Sequence, residues 1–178
     1  MNERNGYIVI DFETTGLCFS TLEVLQVSVI NDKGETLLHG YCRPKHTDSW
    51  EDAEAIHGIS PEMVAGCPTF REGYLPKLLE LIEGVSAVIA YNADFERNVL
   101  RYAYGVDPVV AFIDPMLMFA PVYGEWTDYF QDYRWQKLET AASYYNYEFK
   151  AHDALEDVKA TRFVFEKMIE AGVVPIMV

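Results

Sequence analysis

The chain has 178 residues, of which 50% are hydrophobic and 24% are charged, a composition typical of a soluble globular protein. No segment approaches the roughly 18 consecutive apolar residues that a membrane span needs, and the N-terminus lacks a signal-peptide pattern, so we expect a cytoplasmic protein with no membrane partner. The net charge of −14 argues against a protein that grips long polyanions, but not against an enzyme that binds a strand end through divalent cations.

The first part of the chain predicts a β-meander. Three segments rich in aliphatic and aromatic residues have the length and composition of strands, and they are Tyr7–Ile10, Leu22–Ile30 and Glu35–Cys42. A turn sequence at 31–34 joins the last two. Residues 44–60 are polar and irregular, and we expect the next regular element to be a short helix that begins with Ser60 and Pro61.

The second part predicts helices that alternate with two short strands. The helices are expected at Tyr74–Ile82, Asp94–Tyr104, Lys137–Tyr145 and Ala154–Ala171, and the strands at Ala87–Ala90 and Val109–Ile113. Asp153 and Glu156 have the spacing of a capping box at the last helix, and Gly172 is its stop. The aromatic-rich segment 115–136 has no clear assignment. This order predicts an α/β fold with a mixed sheet flanked by helices, in one domain that spans residues 1–178.

A pair of acidic residues closes the first predicted strand. Asp11 and Glu13 lie two residues apart, so their side chains point to the same face of the sheet. Two neighbouring carboxylates repel each other unless a cation lies between them, and oxygen ligands suit Mg²⁺ or Mn²⁺. The alternative is a chance Asp-x-Glu in a very acidic chain, but a charge at the end of an apolar strand is costly without a partner.

Two further acidic clusters lie at helix starts. Asp94 and Glu96 occupy a first helical turn, where the helix dipole favours negative charge, so for this cluster taken alone helix stabilisation is the favoured interpretation. His152 precedes the last helix and Asp157 lies in its first turn. A lone histidine at a helix start is more often a surface residue, but a histidine beside carboxylates is a suitable general base for activating water.

Together these clusters resemble the motifs of the DEDDh exonucleases in the ribonuclease H-like superfamily, which include the epsilon proofreading subunit of bacterial replicases, ribonuclease T and oligoribonuclease. Asp11–Gly16 (DFETTG) matches the first motif, Asp-x-Glu-Thr-Thr-Gly, and His152–Asp157 (HDALED) matches the third, His-x-Ala-x-x-Asp. Tyr91–Glu96 (YNADFE) departs from the second, His-Asn-Ala-x-Phe-Asp. Ile56–Ser60 (IHGIS) is similar to a segment that many members carry between the first two motifs, and Asp114 stands where an aspartate is common.

The resemblance implies a ribonuclease H-like five-stranded mixed sheet and a metal-dependent 3′→5′ exonuclease that uses two Mg²⁺ or Mn²⁺ ions. The implied catalytic and metal-binding residues are Asp11, Glu13, Glu96 and Asp157, with His152 as the general base. Glu96 is one methylene longer than the aspartate of the family, so either Glu96 still reaches the ion or Asp94 substitutes for it. The motif offset favours Glu96, with lower activity or a preference for Mn²⁺ as the expected consequence.

Substrate contacts are predicted on three segments. The turn at 14–16 offers backbone N–H groups to a nucleotide, and the resemblance suggests that Leu17 wedges against the terminal base. Aromatic residues at 123–149 are interleaved with basic ones, a pattern that can stack single-stranded nucleobases, although most of these rings are expected to fill the core. The predicted substrate-binding residues are Thr14, Thr15, Gly16, Leu17, Asn92, Trp126, Tyr129 and Arg134.

The predicted substrate is the 3′ end of a single strand, with DNA favoured over RNA and nucleoside 5′-monophosphates as products. A rival interpretation is a proofreading subunit that is active mainly in complex with a DNA polymerase, which suits the acidic surface because the partner then holds the DNA. A second rival is an inactive cation-binding scaffold, and a third is a phosphodiesterase for very short oligoribonucleotides. The sequence leaves the oligomeric state open.

Overall fold

A five-stranded mixed sheet organises the chain. Its strands are β1 (Tyr7–Thr14), β2 (Val24–Asn31), β3 (Thr36–Tyr41), β4 (Ala87–Ile89) and β5 (Ala111–Ile113). They lie in the order β3-β2-β1-β4-β5, with β1, β2 and β3 antiparallel and with β4 and β5 parallel to β1. This computed structural model describes residues 6–178. The predicted meander and the mixed sheet are confirmed.

Helices cover both faces of the sheet. They are α1 (Glu51–His57), α2 (Pro61–Val64), α3 (Phe70–Gly73), α4 (Leu75–Glu83), α5 (Ala93–Asn98), α6 (Pro115–Tyr123), α7 (Leu138–Tyr144) and α8 (Ala154–Glu170). A π-helical turn at Val99–Ala103 continues α5, and a small hairpin of β6 (Trp126–Thr127) and β7 (Asp132–Tyr133) lies between α6 and α7. Within the described residues, no helix is long and apolar enough to cross a membrane.

The alternation of side chains along β1 divides the core in two. Ile8 and Ile10 pack on one face with residues of α3, α4 and α5, while Val9 packs on the other face with residues of α6, α7 and α8. Full burial of each such aliphatic side chain contributes roughly 1.5–3 kcal/mol, so a shift of register by one residue is strongly disfavoured. The same alternation places Asp11 and Glu13 on the face of Val9, under α8.

The first strand is longer than its apolar run predicts. The apolar run ends at Ile10, whereas β1 includes the acidic pair, as expected, and continues through Thr14, because Asp11 pairs with Ser28 and Glu13 with Gln26 of β2. Antiparallel pairing satisfies the backbone polar groups of these residues, so the strand persists although its side chains become acidic. The two carboxylates therefore lie on a rigid strand.

Two segments that looked irregular contain regular structure. Residues 44–60 include α1, which buries no side chain and so leaves no apolar period in the sequence. Residues 115–136 include α6, whose sequence PMLMFAPVY is apolar on every side and contains Pro121, so it shows no amphipathic pattern. In both cases the helix lacks the periodic signal on which sequence reasoning depends.

Candidate active site

The site is built on β1, whose acidic residues face α8. Asp11 and Glu13 are partly buried, while Phe12 between them is buried on the opposite face. Asp11 lies in a cleft that also contains Tyr91, His152 and Asp157. The prediction from strand geometry, that both carboxylates share one face, agrees with this placement.

Glu96 approaches the same strand from α5. Its side chain is only 3% exposed, and its Oε1 accepts a hydrogen bond from the backbone N–H of Phe12 at 3.4 Å. Asp94 is exposed on the same helix. Of the two carboxylates considered for the second motif, Glu96 is therefore the one beside Asp11 and Glu13.

Asp114 holds the start of α5 in place. Its buried carboxylate accepts hydrogen bonds from the N–H groups of Asn92 (3.1 Å), Ala93 (2.9 Å) and Met116 (2.8 Å). Asn92 has a φ of +69°, a left-handed conformation that Asn adopts more readily than most residues. Asn92 thus forms the turn that aims Glu96 at β1, and Asp114 supports that turn. The resemblance had marked Asp114 by position only, without this role.

The loop before α8 brings His152 next to Asp157. The backbone N–H of His152 donates to Asp157 Oδ2 at 3.0 Å, and His152 has a φ of +64°. Asp153 caps α8 by accepting from the N–H groups of Leu155 and Glu156, which confirms the N-cap half of the predicted capping box. The His152 ring is exposed, with Nε2 4.0 Å from Glu139 Oε1. Ligand atoms of Glu13, His152 and Asp157 lie within 4.8 Å of one another.

The carboxylates of the site are destabilised in their charged form. Burial, followed by repulsion from Asp157 and Asp153, raises the pKa of Glu13 to about 8. Burial raises the pKa of Asp157 to about 7 although the His152 N–H lowers it. Burial and neighbouring acids also hold the pKa values of Asp11 and Glu96 well above their usual range. A cluster of acids this close requires protons or cations to be stable.

The oxygen atoms of the cluster fit a divalent cation. Glu96 Oε2 and Asp157 Oδ1 are buried and have no hydrogen-bond partner among the described residues. An unpaired buried carboxylate oxygen is costly, and a bound cation removes that cost. Oxygen-only donors match the preferences of Mg²⁺ and Mn²⁺. The structure thus contains a candidate acidic metal site.

The turn after β1 is rigid and ends in an exposed leucine. Thr15 uses both its N–H and its hydroxyl within the turn, bonding to the backbone of Glu23 at 2.9 and 3.0 Å. Thr14 is buried, and its hydroxyl donates to the Gly16 carbonyl at 2.7 Å. Leu17 is 80% exposed. Of these predicted contact residues, Leu17 is the one whose side chain is free to touch a ligand.

His57 supports this turn from α1. Its Nδ1 accepts from the Ile59 N–H at 3.0 Å, which leaves the proton on Nε2, 3.3 Å from the Thr14 carbonyl oxygen. Burial lowers the pKa of His57, in keeping with a neutral ring in this position. A cleft of about 730 Å³ lies between the turn and α1, and its lining includes Glu13, Leu17 and His57.

The predicted stacking residues lie on the β6–β7 hairpin. Tyr129 is 86% exposed and Trp126 is 52% exposed, with the Trp126 ring edge-on to Tyr133 at 5.3 Å. Arg134 is paired with Glu125 at 3.2 Å, so its charge is partly offset. Sequence reasoning missed Trp135, which lines both a hairpin cavity of about 570 Å³ and the cleft that contains Asp11. Trp135 therefore connects the hairpin to the acidic cluster.

Comparison with known proteins defines the class of the chain. The family model described as Exonuclease matches residues 8–165. The chain belongs to this exonuclease family, and the predicted resemblance to DEDDh exonucleases of ribonuclease H-like fold is confirmed. It is 30% identical over 177 residues to the uncharacterized exonuclease CP81 of Escherichia phage 186, with 93% of this chain and 89% of that protein covered.

Longer relatives contain the same unit. The chain is 29% identical over 171 residues to the PolC-type DNA polymerase III of Thermotoga maritima, which covers 92% of this chain but only 12% of the polymerase. Among solved structures, exonuclease X in complex with 5′-overhanging duplex DNA has a TM-score of 0.69 at 20% identity, covering 93% of this chain and 92% of that one. E. coli exonuclease I with a dA16 oligonucleotide has a TM-score of 0.75 at 19% identity, covering 94% and 41%.

Proposed function

We propose that the chain is a metal-dependent 3′→5′ exonuclease that removes nucleoside 5′-monophosphates from single-stranded nucleic acid, with DNA preferred to RNA. The observation that carries this proposal is the meeting of four carboxylates from three elements: Asp11 and Glu13 from β1, Glu96 from α5 and Asp157 from α8. Two of their buried oxygens have no partner among the described residues. A structural role alone does not account for so much unpaired negative charge.

The four carboxylates would hold two Mg²⁺ or Mn²⁺ ions. Asp11 lies among the other three acids, since the charges of Glu96, Asp157 and Glu13 all raise its pKa, so Asp11 would take part in holding the ions. Bound divalent ions would offset the negative charge that develops on the phosphate in the transition state. Glu96 keeps the oxygen donor that the family expects at this position, although its side chain is longer.

His152 is the proposed general base. Its side chain lies at the open rim of the cleft beside Asp157, and the hydrogen bond from its backbone N–H to that carboxylate fixes the loop. The ring is exposed and so is free to accept the proton of an attacking water molecule. Asp157 thereby serves twice, as a metal ligand and as the group that positions the base.

A strand end fits this site better than a continuous duplex. The exposed Leu17 lies at the entrance of the cleft behind Glu13, where its side chain can pack against the terminal base. The hairpin aromatics Trp126, Tyr129 and Trp135 offer surfaces on which preceding bases stack, worth roughly 1–3 kcal/mol per base. The DNA in the complexes of exonuclease I and exonuclease X supports DNA as the substrate.

A role beside a polymerase is the second candidate. The net charge of −14 weakens the binding of free nucleic acid, and the chain is similar to one segment of PolC-type polymerases. If a polymerase holds the DNA, hydrolysis of free oligonucleotides is slow and rises when the polymerase is added.

Product analysis tests the proposed function. Matched DNA and RNA oligonucleotides are incubated with Mg²⁺, Mn²⁺ or EDTA, and the released nucleotides are separated by chromatography. We expect nucleoside 5′-monophosphates with either metal, none with EDTA, and faster release from DNA. Release of 3′-monophosphates, or hydrolysis that persists in EDTA, would contradict the proposal.

A further inference from the structure

A second cavity on the described surface is lined by basic residues. It has a volume of about 490 Å³, and we call it the basic cavity; its charged lining consists of Arg43, Lys45, His46, Arg71, Glu23 and Glu72. The acidic cluster lies in other clefts, which share no lining residue with it. In a chain of net charge −14, this grouping of cations is the feature to be explained.

The lysine and arginine side chains of the basic cavity form no ion pair with an acidic side chain in the part of the chain that the structure describes. Within residues 6–178, six lysines and arginines form no ion pair with a described acidic side chain: Lys33, Arg43, Lys45, Arg71, Lys137 and Lys150. Three of these six line this one cavity. Acidic residues outnumber basic ones twofold in the chain, so three unpaired cations around one cavity leave their charge available to an external anion.

The acids of the cavity are already engaged. The Glu23 carboxylate accepts three backbone hydrogen bonds, from Lys45 (2.7 Å), His46 (2.8 Å) and Thr47 (3.0 Å). The Glu72 carboxylate accepts from the Thr69 hydroxyl at 2.8 Å. Glu23 thus fixes the loop that carries Lys45, rather than pairing with the lysine side chain. The result is a loop held in place with its cation exposed.

The basic cavity lies on the other side of the 14–17 turn from the cleft that contains Glu13 and Leu17, which we call the catalytic cleft. Thr15 lines that cleft and is hydrogen-bonded to Glu23, which lines the basic cavity. The Phe19 ring of the cavity contacts the Phe95 ring of the cleft, with centroids 5.6 Å apart. The exposed Leu17 lies on the turn between the two. A nucleic acid bound at the carboxylates therefore has a short path over this turn to the cations.

The walls of the cavity suit a nucleotide. Phe19 and the 59%-exposed Tyr102 stand together, with ring centroids 6.1 Å apart, and offer apolar surface beside the charges. Arg71 donates to the Tyr104 carbonyl at 2.9 Å and lies over the Tyr104 ring, so its guanidinium is held at a fixed place. Cations next to aromatic rings are the usual means by which proteins bind single-stranded nucleic acid.

We propose that the basic cavity binds a backbone phosphate of the nucleic acid substrate, outside the catalytic cleft, through Arg43, Lys45 and Arg71. The proposal rests on the proposed function, because it assigns part of the same substrate to this second site. It explains how a strongly acidic exonuclease retains a polyanion, because unpaired cations are grouped around one cavity and attract the phosphate there. Substrates too short to extend over the turn do not reach the cavity.

The test removes two of these charges and leaves Arg71, which also supports the fold. Arg43→Gln/Lys45→Gln is compared with Lys33→Gln/Lys77→Gln, which removes the same charge at residues that line neither the basic cavity nor the clefts of the acidic cluster. We measure kcat/KM on a DNA dinucleotide and on a 20-nucleotide single strand over a range of salt. For the long strand we expect a roughly tenfold loss of kcat/KM at low salt and a salt slope that is smaller by about 0.7, from the loss of one phosphate contact on a single strand. The dinucleotide should be cleaved as by the wild type.

Several results would overturn the proposal. Equal losses in the two double variants would show a general effect of charge, and equal losses on both substrates would show damage to the cleft. An unchanged dependence of kcat/KM on salt would show that the cavity does not bind a phosphate. Anisotropy of a labelled 20-nucleotide strand in EDTA measures binding without turnover. The cavity is therefore tested even if the wild type fails to hydrolyse that strand, a failure that would count against the proposed function instead. Displacement of the strand by polyglutamate but not by polyphosphate would assign the cavity to an acidic protein.

Discussion

Individual oxygen atoms explain why the site is a candidate for binding a cation. Glu96 Oε2 and Asp157 Oδ1 are buried without a partner among the described residues, and the pKa values of Glu13 and Asp157 are raised to about 8 and about 7. These values lie above the ordinary ones of 4.5 and 3.8, so protonation stabilises the metal-free fold. That stability is complete in acid and is lost as the pH rises through 7 and 8.

The first prediction follows from this loss of stability with rising pH. Without metal, in EDTA, we expect the Tm to fall as the pH rises from 5.5 to 8.5. In buffer without EDTA, we expect Mn²⁺ to raise the Tm more at pH 8.5 than at pH 5.5. Thermal unfolding followed by circular dichroism measures both. A Glu13→Gln/Asp157→Asn variant should lose part of the pH dependence and most of the Mn²⁺ effect. If the Tm changed equally with pH in the wild type and in this variant, the remaining acidic surface, and not this cluster, would set the pH dependence.

The second prediction concerns His152. Its positive φ makes Asn a better replacement than Ala, because Asn tolerates this conformation and keeps the backbone N–H on Asp157. His152→Asn should lower kcat by roughly 10²–10⁴-fold, the usual contribution of a general base, while Mn²⁺ affinity by calorimetry stays close to wild type. His39→Ala, at an exposed histidine of β3, is the control and should leave kcat unchanged. A kcat within twofold of wild type in His152→Asn would remove this residue from the proposed mechanism.

At the scale of residues, the sequence allowed positions to be expected where a motif has a fixed spacing. It placed Asp11 and Glu13 on one face, and it preferred Glu96 to Asp94, which the structure leaves exposed. It did not find the support that Asp114 gives to α5. That support depends on hydrogen bonds between residues 22 positions apart, and no local pattern in the sequence encodes them.

At the scale of elements, α5 carries Glu96 and Asp114 fixes its start. The third prediction is that Asp114→Ala leaves three N–H groups without their acceptor, lowers the free energy of unfolding by roughly 1–3 kcal/mol and reduces kcat. Urea unfolding and turnover on a DNA oligonucleotide measure the two effects. Asp107→Asn, at an exposed aspartate near Arg97 and Arg101, is the control and should change both much less. Unchanged turnover in Asp114→Ala would mean that α5 keeps its position without this carboxylate.

The β6–β7 hairpin gives the fourth prediction. If its exposed rings stack bases, Trp126→Ala should raise KM for a 20-nucleotide single strand by roughly five- to tenfold, and should not change kcat/KM for a dinucleotide. Trp126→Phe keeps an aromatic face and should recover most of the affinity. Steady-state kinetics on both substrates measure the effect. A KM that is the same in wild type and Trp126→Ala would assign the exposed rings to another role.

Helices and strands were predictable from the sequence where their apolar residues recur at regular spacing. The helix at 154–171 was found within one residue of α8, because its N-cap, its buried stripe and Gly172 all agree. In contrast, α1 has no buried residue, and the two-residue strands of the hairpin are too short to show alternation. The hairpin consists of only two paired positions, Trp126 with Tyr133 and Thr127 with Asp132, and residue types alone do not predict so short a pairing.

For the molecule as a whole, the order of elements was enough to predict the sheet. A meander followed by strands separated by helices allows few topologies, and the observed order β3-β2-β1-β4-β5 is one of them. The distribution of charge was not predictable in this way. The cations of the basic cavity are separated in the sequence by up to 28 positions, from Arg43 to Arg71, and only the fold brings them together.

The direction of hydrolysis is the central claim, and one measurement tests it most directly. A 5′-labelled single-stranded DNA is incubated with the wild type or Glu13→Gln, in Mg²⁺, Mn²⁺ or EDTA, and the products are resolved on a gel over time. We expect a ladder that shortens by single nucleotides from the 3′ end with the wild type and either metal, and an intact strand with the variant or with EDTA. Immediate release of a labelled mononucleotide, or a few fixed internal fragments, would contradict the assignment of a 3′→5′ exonuclease.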